Sequence, residues 1–444
     1  MILSLIIAYV LFKILEVVLP PWNFPRNIPT IPFYVSFLSS FGKYDQIDIF
    51  NLYLREKLEK YGAVKIYFAS RWNILVSRPE LLVEIFKNDG VFAKSGNHIK
   101  IPGSVLATYT GDNIISSTGS TWLNYRSVLK NSIQFPNLDP LTKNTAKVLN
   151  MLPDGEITDT LQRYSLQNIG DCIMGVDFEA LENTNMHNQI KYIKRQIFKP
   201  FFMNFPSIEK LPIPSRLKAK KEVENFRFWF GQKIKEHTQI GAASELVQAL
   251  ENGVLTNKQF LDNSIITMVA GHENPLLLMQ SLLFVLGSDS NLQEKCRSTP
   301  KFLDFVIYET LRMYPPLNQI INRCTTRSVQ LGGEIQIPQG VYVGYMNLAT
   351  GRDKNVWKDP DCFKPERWSV IDYTKAKRDA HLPAFHGRKR ACLGEKYALF
   401  ECKTLVHAIL GKYNFELLNK IKFTPSGPIS PIGMKFKFRK IEEI

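Results

Sequence analysis

The residues from Phe385 to Gly394 place one cysteine where it could do chemistry: Phe385-His386-Gly387-Arg388-Lys389-Arg390-Ala391-Cys392-Leu393-Gly394. Cys392 stands among arginines and glycines just ahead of the apolar helical pattern Tyr397-Ala398-Leu399. Nearby cations and backbone N–H donors stabilise a thiolate. A thiolate in an apolar loop can be the axial ligand of a haem iron, pushing electron density toward O–O cleavage. The expected chemistry is that of an oxidase with Cys392 on the metal. A basic surface loop around a structural cysteine is the competing reading of the loop taken alone.

Other segments carry related chemistry. Glu309 and Arg312 share one helical face at i, i+3 within the apolar-periodic run that begins at Phe302. On a surface such a pair is worth only about 0.3–0.5 kcal/mol, whereas a buried charge network specifies geometry. Trp122 and Arg126, at i, i+4, offer an indole N–H and a guanidinium to a carboxylate such as a propionate. Leu261 to Leu286 reads as a long apolar helix interrupted by Ala270-Gly271-His272-Glu273-Asn274-Pro275. Pro275 removes the helical bond to the Gly271 carbonyl, which predicts a kink or opened turn able to hold water or dioxygen. The Asn274 amide can donate a hydrogen bond there but relays a proton less readily than a hydroxyl–water chain.

Together these segments resemble the haem-thiolate monooxygenases, the cytochrome P450 family. The likeness rests on Phe385, Arg390, Cys392 and Gly394 in the cysteine loop, Glu309-x-x-Arg312, Pro365-Glu366-Arg367, Trp122-x-x-x-Arg126 and Ala270-Gly271-x-Glu273, and it runs from about Pro21 to the C-terminus. It implies heme b held by Cys392, with Phe385 packed beneath the sulfur and Gly394 letting the next helix approach the porphyrin. Arg390, Trp122, Arg126 and Arg323 would reach the propionates. Gly271, Glu273 and Asn274 would handle oxygen, and Glu309, Arg312 and Arg367 would form an ion network behind the loop. Electrons would come from NADPH through an NADPH–cytochrome P450 reductase. Two departures stand out. Asn274 replaces the family's relay threonine, and Arg388 replaces a glycine, so strain of about 1–3 kcal/mol is expected at Arg388, with Gly387 absorbing the bend.

Runs outside these motifs, at 23–35, 70–77, 92–97 and 321–326, resemble one branch of the family. What that implies is oxidative coupling of two N-formyltyrosine phenols into bisformyl dityrosine for spore or cell wall maturation. Coupling inserts no oxygen, so it tolerates Asn274. The substrate's carboxylate needs a partner in an otherwise apolar pocket, and Lys94, His98 and Lys100 are candidates by position. Hydroxylation of a lipid or aromatic metabolite by a conventional monooxygenase is the alternative, and a haem-binding protein with little turnover the second. The chain is shorter than the branch pattern between Cys296 and Leu303.

The elements that must position these residues are those of a mainly α chain with a small β region, the cytochrome P450 fold. At about 150 residues per domain, 444 residues would allow three domains. No linker or repeat divides the chain, so residues 21–444 read as one haem-binding catalytic domain. Strands are expected at Val64–Phe68 and Asn73–Val76, with a hairpin from Ile335–Ile337 to Val341–Val343. Six cysteines without Cys-x-x-Cys spacing suggest neither a zinc site nor a disulfide framework. Residues 1–20 read as a marginal membrane span, since about 20 apolar residues cross a bilayer. The expected place is the endoplasmic reticulum membrane with a cytosolic catalytic domain, or else the cytoplasm. The net charge of +15 comes with no nucleic-acid motif, so no nucleic acid is expected. Anionic lipid headgroups or an acidic reductase near Arg388, Lys389, Lys396 and Lys403 would suit it better.

Overall fold

The long helix Asn257–Gly287 is the axis of the molecule, and its start is written in sequence. Thr256 accepts from the Gln259 N–H while the Gln259 side chain accepts from the Thr256 N–H, a reciprocal cap that satisfies two orphan donors. Most of its residues are buried, which makes it a core helix with neighbours on all sides. The helix continues through Pro275 without a break, so the expected opened turn is not formed. Dense packing on every side holds the helical path, and Pro275 forfeits one backbone bond. The computed structural model describes residues 2–152, 154–236 and 240–441.

Helix Thr158–Asn168 and helix Glu395–Lys412 pack on this axis, as does Phe302–Met313. Their side chains join one large apolar cluster, in which Leu161, Met268, Leu282, Leu311 and Leu405 are buried. The mainly α expectation therefore holds.

The β region is a five-stranded sheet in the order Ala63–Phe68, Arg71–Val76, Tyr342–Met346, Gln319–Thr325, Phe92–Lys94. Tyr342–Met346 lies parallel to Arg71–Val76 and antiparallel to Gln319–Thr325. The register slips between Ile321 and Arg323, a bulge that leaves Asn322 unpaired with Tyr342–Met346. The first two strands stand where expected, but the hairpin does not. Ile335–Ile337 pairs back on Val329–Leu331, and Tyr342–Met346, buried along its whole length, enters the main sheet. Continuous burial is the mark of a central strand, which a hairpin at the edge could not supply.

The N-terminal helix Ile2–Val18 has 17 residues, about 26 Å at 1.5 Å per residue, against a hydrocarbon core of about 30 Å. Among the described residues no helix is long and apolar enough to cross a membrane, so the expected span is not found. Near the helix end the Glu16 carbonyl accepts from the Trp72 indole at 3.1 Å, tying the helix to the sheet. The connection after Cys296 is closed locally: helix Ser290–Ser298 ends and the Phe302 N–H donates to the Thr299 carbonyl at 2.8 Å.

Candidate functional site

The loop that carries Cys392 folds back on itself before its helix begins. The Cys392 N–H donates to the Phe385 carbonyl at 2.9 Å, and the Ala391 N–H to the Arg388 carbonyl at 2.7 Å. Strain does not fall on Arg388, whose φ is negative. It falls on His386, at φ 59° and ψ 136°, a region that side chains rarely occupy and that costs about 1–3 kcal/mol. The His386 ring compensates by packing on Phe86, centroids 3.8 Å apart, with Nε2 3.4 Å from the Arg323 guanidinium. Burial, then Arg323, Lys94 and Arg390, push its pKa down to about 2, so the ring is neutral. Gly387 is needed for a different reason. A Cβ there would sit 2.4 Å from the Lys377 carbonyl oxygen.

Cys392 opens into an internal cavity between this loop and the long helix. Its sulfur is solvent-accessible through the cavity although protein surrounds it. Burial pushes the thiol up to about 11, with the Gly394 N–H and Lys377 pulling weakly the other way. Of the basic residues in the loop, Arg390 and Lys389 turn toward Trp122. The Arg390 guanidinium lies 4.4 Å and Lys389 Nζ 5.3 Å from that ring. A bound metal would ionise a coordinating thiol outright.

The cavity wall is assembled from distant elements. Ala270, Gly271, Asn274 and Pro275 face it from the long helix, Phe385 and Gly394 from the loop and Trp122 and Arg126 from helix Gly119–Gln134. Gly271 lies so close to Ile169 that a Cβ would come 2.1 Å from its Cδ1. The Asn274 side chain donates to the Ala270 carbonyl at 3.2 Å, on its own helix. Glu273 is not among the lining residues. It turns to the other side, 3.4 Å from Lys194 and 3.7 Å from His272 Nε2.

One edge of the cavity carries an excess of positive charge. Lys94, Arg126 and Arg390 line it, and Arg323 is buried just behind. Arg323 donates to Asp89 at 3.0 Å and to the Phe92 carbonyl at 2.8 Å. Asp89 is also the nearest acid to Arg390, at 3.8 Å. The Arg390 Nη1 is buried with no hydrogen-bond partner, and Lys94 is held well below its ordinary pKa by burial, Arg323 and Arg390. Buried charge of this kind requires anions. A planar apolar group with carboxylates at one edge and an iron for Cys392 satisfies all three features, so the site fits haem. At Gly394 a Cβ would meet only Ile133, at 3.8 Å, so the space before it belongs to the cavity.

Behind the loop, Glu309 is fully buried and fully satisfied. It accepts from Arg312 Nη2 at 2.7 Å, Arg312 Nε at 3.0 Å and Arg367 Nε at 3.0 Å. The Lys364 N–H at 2.9 Å and the Trp368 indole at 3.0 Å complete it. Sequence reasoning assembled the three charges and missed the other two donors, although Trp368 directly follows Arg367. It also missed Asp89, whose role depends on a strand pairing far away in the chain. Of the candidate carboxylate partners, Lys94 lines the cavity, His98 turns to the Gly111 carbonyl at 3.1 Å, and Lys100 is buried on the sheet.

The sequence model of the family described as Cytochrome P450 matches residues 29–435. The chain is 45% identical to Cytochrome P450-DIT2 of Saccharomyces cerevisiae over 99% of its own length and 98% of that protein. It is 34% identical to Cytochrome P450 monooxygenase xanG of Aspergillus fumigatus, covering 91% of this chain and 83% of the other. With probable cytochrome P450 4e1 of Drosophila melanogaster the identity is 26%, over 78% and 73%.

Proposed function

The chain belongs to the cytochrome P450 family, an oxidoreductase family with cysteine-ligated haem and reductase-supplied electrons, and on that premise we propose that it couples N-formyltyrosine phenols into bisformyl dityrosine. The observation that carries this reading is the full-length likeness to the yeast relative, together with an oxygen side whose Asn274 is bonded to its own helix. Haem bound in the cavity would supply the oxidising equivalents for removing one hydrogen atom from each of two phenols, which join at ring carbons while both oxygen atoms of O2 leave as water with the reductase's electrons.

The chain's own residues do the rest. Cys392 would hold the iron, and Phe385 would fix the loop through its carbonyl bond to the Cys392 N–H. Trp122, Arg126, Arg390 and Lys94 would hold the propionates, with Arg323 and neutral His386 supporting them from behind. Ile114, Leu278, Leu311 and Ile320 give the cavity an apolar lining that would keep water from the substrate. Asn274 would orient a polar group by its amide, while Glu273 pairs with Lys194 away from the cavity. The redox partner we propose is an NADPH–cytochrome P450 reductase. The proposed place is the endoplasmic reticulum surface, with the helix Ile2–Val18 as tether and residues 21–444 as the cytosolic catalytic domain.

Purified enzyme, reductase, NADPH, labelled dioxygen and N-formyltyrosine test the reaction. The expected product is a fluorescent dimer with the mass of two substrates less two hydrogens, and all label in water. Label in a monomeric hydroxylated product, with no dimer above the enzyme-free control, would establish hydroxylation instead.

A further inference from the structure

A second basic group lies on the sheet beside the cavity, and it has no counterion. Arg71 and Lys100 both cover the ring of Tyr342, the guanidinium carbon at 4.8 Å and Nζ at 5.3 Å from its centre. Arg71 Nη2 donates to the Lys100 carbonyl, which fixes the two side by side. Lys100 is buried, and its Nζ makes one bond, to the Ile321 carbonyl at 2.8 Å. Two of its three protons are left over. The Arg71 Nε is likewise buried without a partner. Among the described residues no acid pairs with either side chain.

Other buried arginines in this chain are treated differently. Arg216 faces Glu209, Arg227 faces Asp262, Arg312 faces Glu309 and Arg323 faces Asp89. Two adjacent cations without an acid cost free energy unless something anionic arrives. Burial and Arg71 together push the Lys100 pKa down to about 7, the response of a site that lacks its anion.

Neither side chain is itself among the residues lining the cavity, but their immediate neighbours are. Lys100 holds the carbonyl of Ile321, and the residues on either side, Ile320 and Asn322, line the cavity. The ring under both cations is fastened to Ser95, next to cavity-lining Lys94, by a 2.9 Å bond between hydroxyls. Lys94 itself belongs to the edge that Arg390 and Arg323 share, so it serves the haem.

We infer that Arg71 and Lys100 form the seat for a carboxylate on the organic substrate, on the sheet side of the cavity. The inference rests on the phenol-coupling reading for the choice of substrate. An N-formyl amino acid carries a carboxylate and no ammonium, so a seat of two cations recognises it and disfavours any ligand with a free amine. The Arg71 Nε and the free Lys100 protons supply hydrogen bonds to the carboxylate oxygens.

The test is optical titration of the haem-loaded enzyme with N-formyltyrosine and with N-formyltyramine, which lacks only the carboxylate. The wild type should bind the acid about 10- to 100-fold more tightly, the range for hydrogen bonds to a charged group. Lys100→Met and Arg71→Met should each remove most of that preference and leave affinity for the tyramine unchanged. Lys100→Arg should keep the preference, and an unchanged ferrous–CO band shows that each variant retains its haem site. Equal wild-type affinity for the two ligands, or variants that weaken both equally, would overturn the seat alone. Binding of neither ligand would overturn the phenol-coupling reading and the seat with it.

Discussion

Cys392 shows how far a residue's role depends on what it faces. Its residue borders the cavity, and burial pushes its thiol up to about 11 against the pull of the Gly394 N–H and Lys377. A bound haem iron would ionise it, and Cys392→Ser should abolish the thiolate-type ferrous–CO band, since a neutral hydroxyl cannot supply the same electron density. An unchanged band would remove Cys392 from the iron. The neighbouring departure, Arg388, changes meaning once the backbone is known. Positive φ lies at His386, so Arg388→Gly relieves nothing and adds chain entropy to the unfolded state. The variant should lose about 0.5–1 kcal/mol of stability in denaturant unfolding, and a gain would mean that Arg388 is the strained position. Gly387→Ala should be far worse, because the added Cβ meets the Lys377 backbone at 2.4 Å. The type of each loop residue was legible in the sequence; which one bears the strain was not. That depends on the approach of the 377–378 backbone from another element.

At the scale of elements, the site is set by how closely three helices lie. Gly271 lets the long helix press on Ile169, just past helix Thr158–Asn168. Gly271→Ala should lower the thermal midpoint and weaken haem retention, by roughly 1–3 kcal/mol for overpacking. Ile169→Ala on its own leaves a cavity, yet combined with Gly271→Ala it should give back part of the loss, a non-additive result that a thermal double-mutant cycle reads. Helix Glu395–Lys412 contributes Glu401, fully buried, accepting from Asn168 at 3.0 Å and with its other oxygen unpartnered. Burial pushes its pKa up to about 8. The folded state then holds a proton that the unfolded chain, near 4.5, has released. Stability due to this group is greatest below pH 4.5 and falls as pH rises toward 8, with a limiting slope of about 1.4 kcal/mol per pH unit. Glu401→Gln should flatten that part of the stability–pH curve. The long apolar run from Leu261 to Leu286 made this helix legible, whereas its Thr256 cap and its passage through Pro275 were not read. Side-chain packing from outside the helix decides the latter, and no local signal reports it.

For the whole molecule, sequence patterns identified the mainly α body and the small sheet but misplaced the 335–343 segment, because burial on both faces of Tyr342–Met346 comes from residues hundreds of positions away. The same limit applies to the N-terminus. Its apolar composition suggested a span, while its folded length falls short of one. Leu5, Tyr9, Leu11, Phe12, Ile14 and Leu15 are all exposed on that helix, and Lys13 pairs with Glu16 at 2.7 Å. Apolar surface of this kind favours burial at a lipid boundary, and the net charge of +15 adds attraction to anionic headgroups. Among the described residues the contacts with the body are few: the Trp72–Glu16 bond, worth about 1 kcal/mol, and Val17 packed on the sheet-side cluster. Deleting residues 2–18 should therefore lower the stability of the body by no more than about that amount and leave its ferrous–CO band intact. Sedimentation with phosphatidylserine vesicles should fall sharply for the shortened protein, and the binding that remains should vanish at high salt, where surface attraction is screened. Full retention of salt-resistant vesicle binding after the deletion would transfer the tether to the catalytic body, and collapse of the fold would make the helix part of its core.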